Sequence, residues 1–290
     1  MFTSLKEIAN KCVEEKRSFY EVVLEIDSKQ NGLQKEEELK KMTLMWKAMK
    51  DAANTYDPEL LSSSKLTGGD GGKFESYIKN NNSICGGFLG QVIACALQMS
   101  ESNACMKRIV ASPTAGSCGV LPAVLIPLFR NKIFSEEKII ESLFVAAGIG
   151  QVIANRASIS GAEGGCQAEI GAASSMAAGT LVYLYNGNSE QICAASGFAL
   201  QNLLGLVCDP VAGLVEIPCV KRNVIGAVNA CSCADMALAS IIPKIPADEI
   251  IDAMKSIGNK MDSSLKETAQ GGMASTPSAK LFEKQIKTAL

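Results

Sequence analysis

Three cysteines of this chain lie beside glycine or proline in stretches that are otherwise apolar. Cys166 follows two glycines, Cys208 comes two residues before a proline, and Cys219 directly follows another proline. Glycine permits close approach to the backbone and proline interrupts regular structure, so we predict that these thiols lie at helix ends. Sulfur atoms that bind one metal ion or cluster must converge from separate segments, and such positions allow it.

The alternative interpretation is that these cysteines only pack, because a free cysteine behaves as a small apolar side chain. The spacing of the three cysteines does not decide between packing and metal binding. Neither the interval from Cys166 to Cys208 nor that from Cys208 to Cys219 is that of a CxxC metal ribbon. The glycine and proline neighbours, together with the nearby acids Glu169 and Asp209, favour metal binding. The other cysteines fall in apolar runs, and we expect all of them to pack in the core: Cys12, Cys85, Cys95, Cys105, Cys118, Cys193, Cys231 and Cys233.

Composition excludes several classes of protein. The chain has 290 residues, a formal net charge of -2, 11 cysteines and no histidine. Without histidine it holds no Ser-His-Asp or Cys-His catalytic pair and no Cys₂His₂ zinc site. The chain lacks the excess of basic residues that is typical of proteins that bind nucleic acid. The first residues run into a charged helical pattern rather than an apolar signal segment, so we expect a cytoplasmic location, where thiols stay reduced or bind metal.

Two glycine-rich loops could bind an anion. Residues 62–73 contain four glycines together with Lys65 and Lys73. This loop is either a flexible linker or a site whose amides and lysines hold a carboxylate. It lacks the Walker A pattern, so phosphate is not indicated. Residues 112–119 combine glycine with hydroxyl side chains directly before an apolar helix, and such a turn also offers free amides to an anion.

Helical periodicity near the N-terminus predicts a helical hairpin over residues 1–60. Ser4 is expected to cap a first helix that continues to Asn31 and Gly32, and a second amphipathic helix is expected from about residue 35 to 54. The remaining residues, 61–290, are predicted to form a large helical domain, and the two parts together one structural domain.

Long apolar helices are predicted in the second half of the chain, over residues 172–184, 189–206 and 223–242. They are expected to be buried rather than membrane-spanning, because each is short, rich in glycine and alanine, or interrupted by polar residues. Gly258 is expected to end the last clear helix, and the tail from residue 261 is expected to be polar with one glycine turn. The predicted fold class is therefore all-α, with one large core.

Several segments together resemble the iron–sulfur-dependent L-serine dehydratases. They are SPTAGS at 112–117, GAEGGCQAE at 161–169, CDPVAGLVEIPC at 208–219, KRN at 221–223, and the segments 65–69 and 265–274. The resemblance covers about residues 60 to 277, and the length of the chain fits the separate α subunit of the two-subunit form.

This resemblance implies an all-helical catalytic domain that holds a [4Fe–4S] cluster on Cys166, Cys208 and Cys219. It implies a lyase of amino-acid catabolism and gluconeogenesis that deaminates L-serine to pyruvate and ammonia. An iron without a cysteine ligand would act as a Lewis acid on the serine hydroxyl. Single-chain relatives carry a histidine-containing motif in another domain, so a β subunit is expected to supply it here. A homo-oligomer is also compatible with the sequence.

The resemblance also suggests residue roles. Substrate binding is assigned to the two glycine loops, through Lys65, Thr67, Gly68, Ser112, Thr114, Gly116 and Ser117. Lys73, Glu163 and Lys221 are candidates for the base that removes the α proton, although Glu163 and Lys221 could instead form structural ion pairs. Two other activities stay open: a cluster-dependent L-cysteine desulfidase and a non-catalytic iron–sulfur subunit.

Overall fold

Helices account for nearly all of the regular structure. The computed structural model describes residues 2–80 and 83–289, and these ranges contain thirteen α-helices and three short 3-10 helices. The one β contact in this part of the chain is an isolated bridge between Cys208 and Lys266. The predicted all-α class is therefore confirmed.

The helices follow one another with short connections. Their bounds are α1 (Leu5–Glu15), α2 (Phe19–Asn31), α3 (Lys35–Asn54), α4 (Asp70–Lys79), α5 (Gly86–Ala104), α6 (Val120–Arg130), α7 (Glu136–Arg156), α8 (Gly161–Gly164), α9 (Cys166–Leu184), α10 (Ser189–Gln201), α11 (Cys219–Leu238), α12 (Ala247–Lys260) and α13 (Pro277–Ala289). The 3-10 helices are Val211–Gly213, Ser263–Leu265 and Gly272–Ser275.

The N-terminal region contains three helices rather than the predicted hairpin of two. Ser4 caps α1 as expected, accepting a hydrogen bond from the amide of Glu7 at 3.0 Å. The chain then turns at Lys16, which adopts a left-handed conformation with φ 52°. Ser18 and Glu21 form a capping box that starts α2. The prediction missed this break because the apolar periodicity continues through it, whereas the capping residues are a purely local signal.

The centre of the fold is α9, which packs against α7, α10 and α11. Every residue of α9 except Glu169 is buried. Small side chains allow this close packing: a methyl group at Gly179 would lie 2.3 Å from a side-chain carbon of Ile149 on α7. One contiguous apolar core includes residues of α1, α3 and α12 as well. The N-terminal helices therefore pack on the same core as the rest of the chain.

The predicted apolar helices exist, but their ends differ. The second ends at Gln201 instead of 206, and the third spans Cys219–Leu238 instead of 223–242. Gly258 does not end α12, which continues to Lys260. The glycine at this position allows close packing inside the helix rather than a helix end, because a methyl group at Gly258 would lie 3.0 Å from the Cα of Gly164.

The tail holds a helix that sequence reasoning missed. Residues 277–289 form α13, which begins at Pro277, a residue favoured in the first turn of a helix. None of the helices in the described ranges is both long enough and apolar enough to cross a membrane.

Candidate functional site

Two of the three cysteines lie at helix starts, as predicted, and Cys208 lies in the segment between α10 and the first 3-10 helix. Cys166 is the first residue of α9 and Cys219 the first residue of α11, while Cys208 precedes the 3-10 helix at 211–213. Gly165, with φ 75°, and Pro218 directly precede the two helices. All three thiols are buried, with 1%, 2% and 6% of the surface of Cys166, Cys208 and Cys219 exposed.

Two of these thiols converge on one carboxylate. The sulfurs of Cys166 and Cys208 and a carboxylate oxygen of Glu169 all lie within 4.8 Å of one another. A hydrogen bond from Cys208, followed by the charge of Arg222, holds the pKa of Cys166 below its usual value despite burial. The same bond, with burial, raises the pKa of Cys208. Burial, with the nearby charge of Cys166, raises the pKa of Cys219 to about 12.

An arginine on α11 supports the Cys166 thiol. Nη1 of Arg222 lies 3.4 Å from Sγ of Cys166 and donates to the carbonyl of Val207 at 2.7 Å. Nη2 forms an ion pair with Oδ1 of Asp209 at 2.8 Å. The other carboxylate oxygen of Asp209 accepts a 2.7 Å hydrogen bond from the amide of Met273. This chain of contacts fixes the segment around Cys208 relative to α9 and α11.

The C-terminal segment holds the backbone of Cys208 in place. The amide of Cys208 donates to the carbonyl of Leu265 at 2.8 Å, and the amide of Glu267 donates to the carbonyl of Cys208 at 2.7 Å. Glu267 has a left-handed backbone conformation, with φ 65°. Its carboxylate charge raises the pKa of Cys208 further.

Glu169 connects the thiols to the loop at 112–119. The hydroxyl of Thr114 donates a hydrogen bond to Oε1 of Glu169 and lies 2.9 Å from the hydroxyl of Ser117. A methyl group at Gly116 would lie 2.7 and 2.8 Å from the two carboxylate oxygens. Burial raises the pKa of Glu169, and the hydrogen bond from Thr114 opposes this effect.

The loop is tied to α11 through Asn223. The side-chain amide of Asn223 donates to the carbonyl of Gly116 at 2.7 Å and accepts from the amide of Gly119 at 2.9 Å. Thr114 and Gly116 lie beside the carboxylate of Glu169, and Ser117 contacts Thr114. Ser112 precedes a cis peptide bond to Pro113, and its buried hydroxyl has no hydrogen-bond partner among the described residues.

The loop at 62–69 is joined to the segment between Cys208 and Cys219. The hydroxyls of Ser62 and Ser64 donate to Oε2 of Glu216 at 2.8 and 2.6 Å. Lys65 lies in a left-handed turn with φ 62°. The carbonyl of Thr67 accepts a hydrogen bond from the amide of Ser62 at 2.8 Å. These bonds fix the loop, which argues against the flexible-linker interpretation.

The amides at the start of α4 are used within the chain. Those of Asp70 and Gly71 donate to the carboxylate of Glu101 at 2.9 and 3.1 Å, and that of Gly72 donates to the hydroxyl of Tyr56 at 3.0 Å. These amides therefore bind a buried carboxylate of the protein itself, and binding of a substrate carboxylate by this loop stays a prediction.

The three candidate bases are exposed and each has a partner within the chain. Lys73 and Lys221 both form ion pairs with Asp70, at 3.1 and 2.5 Å, and their side chains are 79% and 63% exposed. Glu163 is exposed and accepts a hydrogen bond from the hydroxyl of Ser158 at 2.6 Å. The pairing of Lys221 favours the structural alternative.

Residues that sequence reasoning missed surround the site. Arg222 and Glu216 had no assigned role, and Glu169 was considered only as an acid near Cys166. Its position three residues after Cys166 was a usable signal, because residues three apart on a helix share a face. Among the other cysteines, the expectation of burial was wrong for Cys85, which is exposed, and Cys105 and Cys193 are only partly buried.

The fold and site together define an all-helical protein with a buried centre of thiol groups. The sequence matches the family described as "Serine dehydratase alpha chain" over residues 7–274. The chain belongs to this family.

Named relatives match along nearly the whole chain. It is 44% identical over 286 residues to the "Probable L-serine dehydratase, alpha chain" of Bacillus subtilis (strain 168), covering 99% of this chain and 95% of the relative. It is 40% identical to the "L-serine dehydratase, alpha chain" of Peptoniphilus asaccharolyticus, covering 94% of each. It is 37% identical to the "L-serine dehydratase" of Helicobacter pylori (strain J99 / ATCC 700824), covering 95% of this chain but 62% of that protein.

Proposed function

We propose that this chain is the α subunit of an L-serine dehydratase, a lyase that converts L-serine to pyruvate and ammonia. The observation that carries the proposal is the convergence of Cys166, Cys208 and Glu169 at a buried site, in a chain similar to named serine dehydratase α chains. We place the reaction in the cytoplasm, where its products would enter amino-acid catabolism and gluconeogenesis.

The donor set fits a [4Fe–4S] cluster on Cys166, Cys208 and Cys219. Thiolates are the usual ligands of such clusters, and these three come from separate segments of the chain. Gly161 leaves room beside them, since a methyl group there would lie 3.0 Å from Sγ of Cys208. When bound through three thiolates, the cluster would supply a Lewis-acidic iron that assists departure of the serine hydroxyl.

The loop at 112–117 is proposed to bind the serine carboxylate. The hydroxyls of Thr114 and Ser117 and the backbone at Gly116 lie beside Glu169, which itself lies beside the thiols. Ser112 offers a buried hydroxyl without a partner in the described part of the chain. On the second loop, Lys65, Thr67 and Gly68 are proposed to complete the substrate site.

A β subunit is proposed to complete the proton transfer. The chain has no histidine. Two of its candidate bases, Lys73 and Lys221, already share the carboxylate of Asp70. The Helicobacter pylori relative extends well beyond the matched region, which covers 62% of it, and an α-chain name implies a partner. We therefore expect the isolated chain to bind a cluster. Its turnover rate for serine should be about 10²–10⁴-fold lower than that of the complex.

Serine substitutions test the cluster ligands. Each of the variants Cys166→Ser, Cys208→Ser and Cys219→Ser, reconstituted anaerobically with iron and sulfide, is expected to lose the cluster absorbance. Cys231→Ser and Cys233→Ser are the matched controls, because both thiols are buried but take no part in the site. Full iron and sulfide retention in any of the first three variants would remove that cysteine from the ligand set.

Product analysis separates the alternative activities. The chain with its β subunit is supplied anaerobically with L-serine or L-cysteine, and pyruvate, ammonia and sulfide are measured. Pyruvate and ammonia from serine support the proposal, whereas sulfide from cysteine with no turnover of serine would identify a desulfidase. A loaded complex that forms neither set of products would identify a non-catalytic iron–sulfur subunit.

A further inference from the structure

Glu169 occupies an unusual place on the central helix. It is the one residue of α9 that is not fully buried, and its carboxylate lies within 4.8 Å of the sulfurs of Cys166 and Cys208. Its position at the N-terminal end of the helix directs it toward the same site as the first residue of that helix.

No cation balances this carboxylate. The structure shows no ion pair between Glu169 and a lysine or arginine in the described ranges, and Arg222, whose guanidinium lies 3.4 Å from Sγ of Cys166, is paired with Asp209. The other charged group close by is a second carboxylate, since a methyl group at Gly161 would lie 3.3 Å from Oε2 of Glu267 and 3.5 Å from Oε2 of Glu169. Buried carboxylates are normally paired with a cation or coordinate a metal ion, because desolvation of an isolated charge is strongly unfavourable.

Gly116 makes the space that Glu169 fills, and Gly161 lies beside the neighbouring thiol of Cys208. A methyl group at Gly116 would lie less than 3 Å from both carboxylate oxygens, at 2.7 and 2.8 Å. A methyl group at Gly161 would lie 3.5 Å from Oε2 of Glu169 and 3.0 Å from Sγ of Cys208. The hydroxyl of Thr114 orients the carboxylate through a hydrogen bond. The site thus accommodates a carboxylate beside the thiols at positions where larger residues would exclude it.

We propose that Glu169 is a fourth protein donor of the iron–sulfur site, a carboxylate that holds the iron not bound by cysteine. This inference rests on the proposed function. A carboxylate is a harder and more readily exchanged ligand than a thiolate, so it would retain the iron in the absence of substrate and still yield to the oxygen atoms of serine. The hydrogen bond from Thr114 would then link the donor to the proposed substrate loop.

The test compares two charge-neutral variants of adjacent carboxylates. Glu169→Gln removes the proposed donor, and Glu267→Gln removes the neighbouring charge that lies outside the group of converging atoms. Each chain is reconstituted anaerobically with ⁵⁷Fe and sulfide, and the loss of one iron under brief oxidation is followed by Mössbauer and EPR spectroscopy. We expect Glu169→Gln to lose its fourth iron about tenfold faster than the wild type, and Glu267→Gln to lose it no faster than the wild type.

The outcomes separate this inference from the proposed function. If the wild-type chain takes up no cluster, the proposed function is wrong. If it takes up the cluster but Glu169→Gln loses iron at the wild-type rate, Glu169 is not a donor and the proposed function stands. Circular dichroism of the cluster-free chains checks folding. Should Glu169→Gln not fold, Thr114→Val decides in its place: faster loss of one iron supports the inference, and an unchanged rate overturns it.

Discussion

Adding one methyl group at Gly161 should separate folding of the chain from loading of the proposed cluster. Gly161 begins α8, and its backbone is not in the left-handed region, so alanine can adopt the same conformation. The new Cβ would lie 3.0 Å from Sγ of Cys208 and 3.3 Å from Oε2 of Glu267. The sulfur or the carboxylate would have to shift by a few tenths of an ångström.

The two energetic effects of Gly161→Ala oppose each other. Overpacking of a buried site costs about 1–3 kcal/mol. Replacing glycine by alanine in a compatible conformation stabilises by about 0.4–1 kcal/mol, because the unfolded chain loses conformational freedom. The cluster-free chain should therefore lose at most about 2.6 kcal/mol of unfolding free energy. Cluster retention should fall more steeply, because the atom that the new methyl group approaches most closely is the sulfur of Cys208, a proposed ligand.

Urea denaturation of the cluster-free chain measures the first effect, and iron per chain after anaerobic reconstitution measures the second. Gly87→Ala is the matched control, since Gly87 lies exposed in α5 and a methyl group there would meet nothing within 4 Å. The control should gain about 0.4–1 kcal/mol and load iron like the wild type. Wild-type iron retention in Gly161→Ala would refute the argument that this glycine makes room for the cluster.

Three further predictions concern stability, each measured by urea denaturation of the cluster-free chain. Arg222→Met should lose about 3 kcal/mol at neutral pH, because it leaves the buried charge of Asp209 without its cation, and adding Asp209→Asn should restore part of the loss; a change below about 1 kcal/mol would contradict this. Burial, with repulsion from Glu38, raises the pKa of Asp27 from 3.8 to about 6, so the folded state favours the protonated form and stability falls as pH rises through this interval. Asp27→Asn should therefore gain about 1–2 kcal/mol at pH 7 after allowance for partial exposure, and should gain nothing below about pH 4; an equal effect at both pH values would exclude this cause. Ser135→Ala should cost about 1 kcal/mol, since it removes the hydroxyl that accepts from the amide of Lys138 at the start of α7, and an unchanged midpoint would show that water replaces the cap.

Local signals predicted much of the fold. Apolar runs identified the buried helices, and Ser4 marked a true helix start because a cap depends only on neighbouring residues. The exact helix ends were less predictable. Gly258 looked like a stop, yet it allows α12 to pack on α8, a contact that depends on residues far away in the sequence.

The candidate site was predictable in its cysteines but not in their surroundings. Glycine and proline neighbours placed Cys166 and Cys219 at helix starts, and both lie there. The partners of charged groups depend on which helices meet. Asp70 forms ion pairs with both Lys73 and Lys221. No periodicity in the sequence predicts that these two lysines share one carboxylate.

The backbone bonds between Cys208 and the segment at 265–267 bear on the order of assembly. Contacts between residues that are far apart in the sequence form late in folding, because a large loop must first be closed. During synthesis, Cys208 leaves the ribosome well before the residues whose backbone groups hold it at Leu265 and Glu267. A nascent chain would therefore expose its thiols without a fixed geometry, and cluster insertion is expected to follow completion of the chain rather than accompany it.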